Sequence, residues 1–357
     1  MNNYRKIANI YNQITLYSKK KKNLINLNNL INYGNFTSKN NKNFVLSSQY
    51  LHNELPIRLS QRIKDLDYLP YNIYGNNYIS NIREWYIKSF FEIRDVNFPN
   101  TFEESEKLVP VLDNIYKRHS STLVTMANAI KELKHTQKIN NDEVQIFLDK
   151  FYLSRISIRI LLKHYLDSYQ FMNNKTNNMI GIVNTKCCPH TILKDVIHDI
   201  KIICDNNYID PPEIIVNDNK VDFPFISSHL YYVLFELLKN SVKAQYDFKS
   251  NKDINVNIMN DNNWIVIKIS DNGGGIMKNK MSKIWNYSYS STNTKDLDIY
   301  SDFGTNTPIS GFGYGLPISK LYMNYFGGNI EIFSKYGVGT DTYIFLRTNG
   351  NFNEPLI

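Results

Sequence analysis

From about residue 44 to residue 178 the apolar positions recur at helical spacing and glycine is scarce. Tyr50-Leu51, Leu55, Ile57-Arg58-Leu59 and Ile63 mark one amphipathic segment, which Leu69-Pro70 ends. Ile82, Trp85, Tyr86, Phe90 and Phe91 mark a second, and a long run from Phe102 to Lys138 is interrupted only by Pro110. A fourth runs from about Asp142 to Phe171 with Phe147, Phe151, Ile156, Ile160 and Leu161 as its stripe. Four helices joined by short polar loops predict an antiparallel four-helix bundle.

After residue 178 the period shortens. Strands are expected at Glu213–Val216, Asn255–Met259, Trp264–Ser270, Asn329–Phe333 and Thr342–Arg347; in the third, Ile265, Ile267 and Ile269 share one face. Helices are expected at about 189–206, 227–248 and 315–326. Helices on one face of a mixed sheet make an α/β sandwich. Residues 287–310 are rich in Ser, Thr, Asn and Asp without an apolar period and read as a mobile loop. The expected divisions are a leader at 1–43, the helical domain at 44–178, the α/β domain at 179–347 and a short tail at 348–357.

Charge changes the picture only at the N-terminus. The net charge of +8 suggests nucleic acid, but residues 1–53 hold eight of the 41 basic residues and no acid, so the other 33 balance the 33 acidic residues. A balanced body carries no footprint for a phosphate backbone, and no nucleic-acid partner is expected. The acid-free leader resembles a mitochondrial presequence, and the alternative is an Asn/Lys-rich polar tail; either way it is set apart from the fold. Three cysteines, Cys187, Cys188 and Cys204, support neither a disulfide framework nor a zinc finger. No apolar run approaches the length of a membrane span.

Three short segments carry the chemistry. On the helix at 227–248, Leu230, Val233, Leu234, Leu237, Leu238 and Val242 form the core stripe, and Glu236, Asn240 and Lys243 share a second face. An Asn amide oxygen suits Mg²⁺, a hard cation that keeps waters and phosphate oxygens. A carboxylate one turn earlier can orient or deprotonate an attacking hydroxyl. Taken alone, the same face reads as an exposed salt-bridged one. Asp271 follows a strand directly, where a carboxylate can accept the adenine amino hydrogens, and Gly273, Gly274 and Gly275 allow close backbone approach. Gly311, Gly313 and Gly315 precede a helix opening at Leu316-Pro317, whose N-terminal amides can face phosphate. Thr340, in the Gly337–Asp341 turn, can reach the adenine side or simply belong to a tight turn. The ordered set predicts a pocket for ATP and magnesium. Asp302-Phe303-Gly304 matches a protein-kinase metal tripeptide, but the upstream glycine loop, lysine strand and HRD loop of that fold are missing.

Glu-x-x-x-Asn, Asp-x-Gly-x-Gly and Gly-x-Gly-x-Gly in this order resemble the superfamily of Hsp90, gyrase, MutL and histidine kinases. Phe147–Ile160, Ser228-His-Leu, Phe235–Asn240, Gly311–Ser319, Glu54-Leu-Pro-Ile-Arg58 and Arg118-His119 look more closely like the mitochondrial 2-oxoacid dehydrogenase kinases, over about residues 44–347. That resemblance implies a protein serine kinase of the mitochondrial matrix that phosphorylates and inactivates the E1 component, docks on the lipoyl domain of E2, forms a homodimer, and uses ATP, Mg²⁺ and K⁺. It gives Glu236 the role of general base and Asn240 that of magnesium ligand. Asp271, Gly273, Gly275 and Thr340 fall on the adenine side, and Lys243 stands where many members have Arg. Gly311, Phe312, Gly313, Tyr314, Gly315 and Leu316 form the phosphate loop, and Ser290 and Ser291 match lid residues. For the substrate, Tyr232 one turn before Glu236, Phe223-Pro-Phe-Ile226, Gly327-Gly328 and the short C-terminus lean to the branched-chain type. Thr125-Met126-Ala127 and Tyr314 look pyruvate-like, and a pyruvate dehydrogenase kinase is the alternative. A histidine kinase and a non-catalytic lipoyl-binding module are more remote; His119 and His164 lack the following acidic residue of a phosphoacceptor.

Overall fold

The computed structural model describes residues 2–36, 42–69, 76–136, 141–172, 178–207, 210–218, 220–287, 289, 300–302, 305–308 and 313–356. The chain divides into two compact units, Met1–Ile25 with Asn29–Ile182 and Leu356–Ile357, and Asn26–Asn28 with Val183–Pro355. The tail from 348 to 355 thus belongs to the second unit, where Tyr325 donates to the buried Glu354 at 2.6 Å.

The first unit is helical: α1 (Asn2–Ser18), α2 (Leu27–Gly34), α3 (Lys42–Asp67), α4 (Asn77–Asp95), α5 (Phe102–Arg118), α6 (Thr122–Thr136) and α7 (Asn141–Gln170), followed by a short strand β1 (Met179–Ile180). Helix α3 is central and packs against α1, α4, α5 and α7. Leu55, Leu59, Ile63, Ile82, Phe90 and Phe151 are fully buried, as the helical spacing predicts. The expected run from Phe102 to Lys138 is two helices. Its break lies at His119–Ser121 and not at Pro110, which sits inside α5. Pro110 and Glu106, whose carbonyl loses its i+4 donor, are both on the exposed face, where water replaces the missing bond.

Within the segment set apart as a leader, the described residues 2–36 are folded. α1 packs on α3, and Ile14, Ile25 and Leu30 are buried. Its anchor is a buried ion pair one turn long, Arg58 Nε to Glu54 Oε1 at 2.9 Å. The Glu54 carboxylate accepts from the Asn23 backbone N–H at 3.0 Å and from Asn23 Nδ2 at 3.0 Å. Arg58 Nη2 donates to the Asn23 carbonyl at 2.6 Å, and Nη1 donates to Ser157 Oγ. The pair thus satisfies both backbone groups of Asn23.

The second unit contains β2 (Val183–Cys187), α8 (Pro189–Asn206), β3 (Ile214–Asn217), β4 (Phe223–Phe225), α9 (Ser227–Phe248), β5 (Ile254–Asn260), β6 (Trp264–Asp271), β7 (Tyr300–Asp302), β8 (Thr305–Pro308), α10 (Gly315–Tyr325), β9 (Asn329–Lys335) and β10 (Gly339–Arg347). The main sheet has the order β3-β5-β6-β10-β9, with β3 parallel to β5 and the other pairs antiparallel. Register aligns Ile258, Ile267, Ile344 and Ile330 in one row, all buried on the side where α9 and α10 pack. Alternation leaves Met259 and Phe333 exposed on the opposite side. Strands β2 and β4 pair antiparallel and were not expected; neither was the β7–β8 hairpin inside the stretch read as a loop.

Glu54→Ala should lower stability by about 3–5 kcal/mol, because it strands a buried guanidinium and frees Asn23. Urea denaturation followed by circular dichroism measures it. A loss under about 1 kcal/mol, the range of an exposed pair, would show that the clamp does not hold the N-terminal segment.

Candidate functional site

Helix α9 positions the site. Its apolar residues Leu230, Val233, Leu234, Leu237 and Leu238 are buried, which turns Glu236, Asn240 and Lys243 to the other face. Glu236 is half-buried, Asn240 is exposed and Lys243 is half-buried. Lys239 Nζ donates to Glu236 Oε1 at 2.7 Å. The other oxygen, Oε2, faces the phosphate loop: a Cβ built on Gly315 would lie 2.1 Å from it. The loop backbone therefore reaches the carboxylate only because residue 315 has no side chain.

Gly315 opens α10. Tyr314, its N-cap, makes no side-chain cap hydrogen bond, so the first-turn amides are left for a ligand. Tyr314 itself is buried, with its ring 5.1 Å from that of Tyr287, and Leu316 is half-buried. Gly315 is thus brought to Glu236, whereas Gly313 lies against the Tyr289 backbone and Tyr314 against Tyr287. Gly311, Phe312, Ser290 and Ser291 lie outside the described residues.

The residues expected on the adenine side lie at the end of β6 and in the β9–β10 hairpin. Asp271 Oδ1 accepts from the Gly273 N–H at 2.9 Å, and Oδ2 accepts from Ser241 Oγ at 3.1 Å. Burial raises the Asp271 carboxyl above its ordinary value of 3.8, and those hydrogen bonds oppose the shift without cancelling it. Gly275 has φ +66, and a Cβ there would lie 2.2 Å from the Lys335 carbonyl oxygen, so glycine is required for the turn. Thr340 is the register partner of Asp271 on β10, and its hydroxyl lies 2.9 Å from Ser334 Oγ. Ser334 Oγ also accepts from the Ile276 N–H at 2.7 Å, which ties the glycine turn to the β9–β10 hairpin.

Sequence reading misses Lys239, Ser241 and Ser334. Ser241 adjoins Asn240, and Lys239 lies three residues after Glu236; the i,i+3 spacing is the only local signal either gives. Ser334 carries none, because its contacts depend on strand register.

The donor set fits a hard cation held largely by phosphate and water. Among the described residues there is no cluster of three His, Cys, Asp or Glu side chains. The Asn240 amide, one turn from Glu236 and exposed, is the protein oxygen expected to meet such an ion.

Asp271→Asn should raise the melting temperature at pH 7 while weakening ATP binding. Folding raises the carboxyl's pKa, so ionisation costs stability at neutral pH and nothing once both folded and unfolded states are protonated. The gap between variant and wild type should therefore close as pH falls towards 4. Thermal melts over pH 4–8 with nucleotide titration test this, and a variant that melts lower at pH 7 and binds ATP as wild type does would refute it.

Comparison with known proteins agrees with this geometry. Residues 226–350 match the family model described as histidine kinase-, DNA gyrase B- and HSP90-like ATPase. Residues 24–184 match the model described as mitochondrial branched-chain alpha-ketoacid dehydrogenase kinase. The mitochondrial pyruvate dehydrogenase (acetyl-transferring) kinase of Arabidopsis thaliana is 35% identical over 327 residues, 88% of this chain and 88% of its own length. Pyruvate dehydrogenase (acetyl-transferring) kinase isozyme 4 of Homo sapiens is 31% identical over 319 residues, 84% of this chain and 76% of its own. Isozyme 1 of Homo sapiens is 29% identical over 355 residues, 94% and 79% respectively. These relatives favour the pyruvate alternative over the branched-chain lean. With a histidine-kinase-like ATP domain following a helical unit, the chain belongs to the mitochondrial 2-oxoacid dehydrogenase kinases and is an ATP-dependent protein kinase.

Proposed function

We propose that this kinase acts on the E1α subunit of the pyruvate dehydrogenase complex in the mitochondrial matrix and inactivates it by serine phosphorylation. The observation that carries the mechanism is Glu236 Oε2 set against the backbone of Gly315. ATP lies with its adenine on Asp271, Gly273, Gly275 and Thr340, and its phosphates on Gly313 to Leu316 at the start of α10. Lys243 completes the nucleotide side. Asn240 would hold Mg²⁺, which when bound supplies positive charge to the phosphate oxygens; K⁺ is implied by the resemblance alone. The substrate serine Oγ forms a bond to the γ-phosphorus while the bond to the β,γ-bridging oxygen breaks. ADP leaves with that electron pair, and the serine proton passes to Glu236 Oε2.

Four of the residues that lean to the branched-chain complex are internal. Tyr232 is 4% exposed and packs on Tyr322, and Phe223, Phe225 and Ile226 are buried. None offers a surface to an E1 protein, so the names of the relatives weigh more. The histidine-kinase alternative is disfavoured because His119 and His164 are both buried, and burial pushes them down to about 3 and about 4, which keeps both rings neutral. His164 Nε2 lies 2.9 Å from the Leu30 carbonyl and donates to it.

Two partners follow from the resemblance. The helical unit contains a cavity of about 330 Å³, lined by Leu24, Ile25, Leu30, Tyr33, Leu51 and Leu161 among others, whose apolar walls suit the acyl arm of an E2 lipoyl domain. The open face of the main sheet, with Phe333 and Met259 exposed, suits a second copy of the chain.

Purified pyruvate and branched-chain E1 proteins, each with and without its E2, should be incubated side by side with labelled ATP. Serine phosphorylation of pyruvate E1, faster with E2, is expected. Preference for branched-chain E1 would reverse the substrate assignment, and no effect of E2 would remove the lipoyl partner. In the same assay Glu236→Gln should reduce turnover by about 10²- to 10⁴-fold with ATP binding kept; full turnover would reject the base.

Phe333→Asp should convert the dimer to a monomer in sedimentation velocity. An unchanged sedimentation coefficient would move the interface elsewhere.

A further inference from the structure

We infer that Lys239 is a positioning residue for phosphoryl transfer: it holds Glu236 by one carboxylate oxygen and so presents the other to the reacting hydroxyl. The inference rests on Glu236 being the base. Lys239 Nζ lies 2.7 Å from Oε1, at the i,i+3 spacing of α9. The two side chains are 13% and 14% exposed, so the pair is largely withdrawn from water. An exposed lysine–carboxylate pair fluctuates and contributes little, whereas a shielded charge-assisted hydrogen bond fixes geometry. Lys239 Nζ is also 5.6 Å from the centre of the Phe235 ring, which walls it on one side.

The two oxygens of Glu236 have different surroundings as a result. Oε1 is engaged by the ammonium, and Oε2 is the atom a Gly315 Cβ would meet. A base with a free carboxylate torsion presents either oxygen, or neither, to the attacking hydroxyl. Fixing one oxygen leaves only the other in line with the phosphate loop, which is the orientation term of catalysis. The competing role for a lysine in this place is direct contact with the ATP phosphates. The two roles separate kinetically: a phosphate ligand acts on nucleotide affinity, whereas a positioning residue acts on turnover.

The test compares Lys239→Met and Lys239→Arg with wild type, measuring E1 phosphorylation, ATP dissociation constant and thermal melting. Lys239→Met should lose roughly ten- to hundredfold in kcat, the worth of one hydrogen bond to a charged group. Its ATP dissociation constant should stay within about twofold of wild type, a shift well below the tenfold that 1.4 kcal/mol produces. Lys239→Arg, which restores a donor to Oε1, should recover most of the turnover. Unchanged kcat in Lys239→Met, a main effect on ATP affinity, or no recovery with arginine in a variant that melts as wild type does would each overturn the inference while leaving the kinase reading intact. Failure of the wild-type chain to label either E1 would instead overturn the kinase reading, and this inference with it.

Discussion

The site depends on one close approach: the backbone at Gly315 sits where any side chain would collide with the carboxylate of Glu236. That contact joins α9 to the start of α10, and so the proposed base to the proposed phosphate loop. Five residues further along α9, Ser241 donates to Asp271 and joins the same helix to the adenine side. A little over one helical turn therefore sets the spacing between the two ends of the nucleotide pocket. The helix cannot rotate to relax either contact, because its core face, on which Ser241 also lies, carries five buried leucine and valine side chains from Leu230 to Leu238. Each such side chain stabilises burial by about 1.5–3 kcal/mol, far more than either polar contact contributes.

The sheet makes the complementary contribution. Four isoleucines aligned across β5, β6, β10 and β9 fix the strand register, and a slip by one residue would turn them to the open face. The same register sets Thr340 opposite Asp271 at the strand ends. Asp271 is held there against its own preference, since burial opposes its ionisation. An apolar residue at that position would escape this penalty but leave the Gly273 N–H and the Ser241 hydroxyl without their acceptor.

Much of this was legible because it is local. Helices α8 and α9 follow from strong apolar periodicity, and the glycine segments stand out because their spacing exceeds what turns require. What was missed is non-local. The N-terminal stretch lacks acidic residues and reads as a separable leader, yet its Asn23 finds its acid in Glu54, 31 residues away. Pro110 reads as a break, but it lies on an exposed helix face where a lost hydrogen bond is replaced by water. Lys239 and Ser241 look like ordinary helix-face residues until α9 is set against Gly315 and Asp271.

The identity of the E1 partner was the least legible feature, and the reason is structural. Tyr232 reads as a mark of the branched-chain subtype, but its ring packs 5.3 Å from Tyr322, and Tyr322 in turn lies 4.3 Å from His229. Phe223 and Phe225 are buried with their rings tilted 33° to each other at 5.5 Å, and Gly327 takes φ +77 in the turn between α10 and β9. Such positions contribute to how α9, α10 and the strands fit together. They can diverge between lineages while the substrate stays the same, since a core tolerates repacking if its volume is conserved. Selection of a protein substrate acts through exposed residues, and those carry no periodicity or glycine signature by which a single sequence could reveal them.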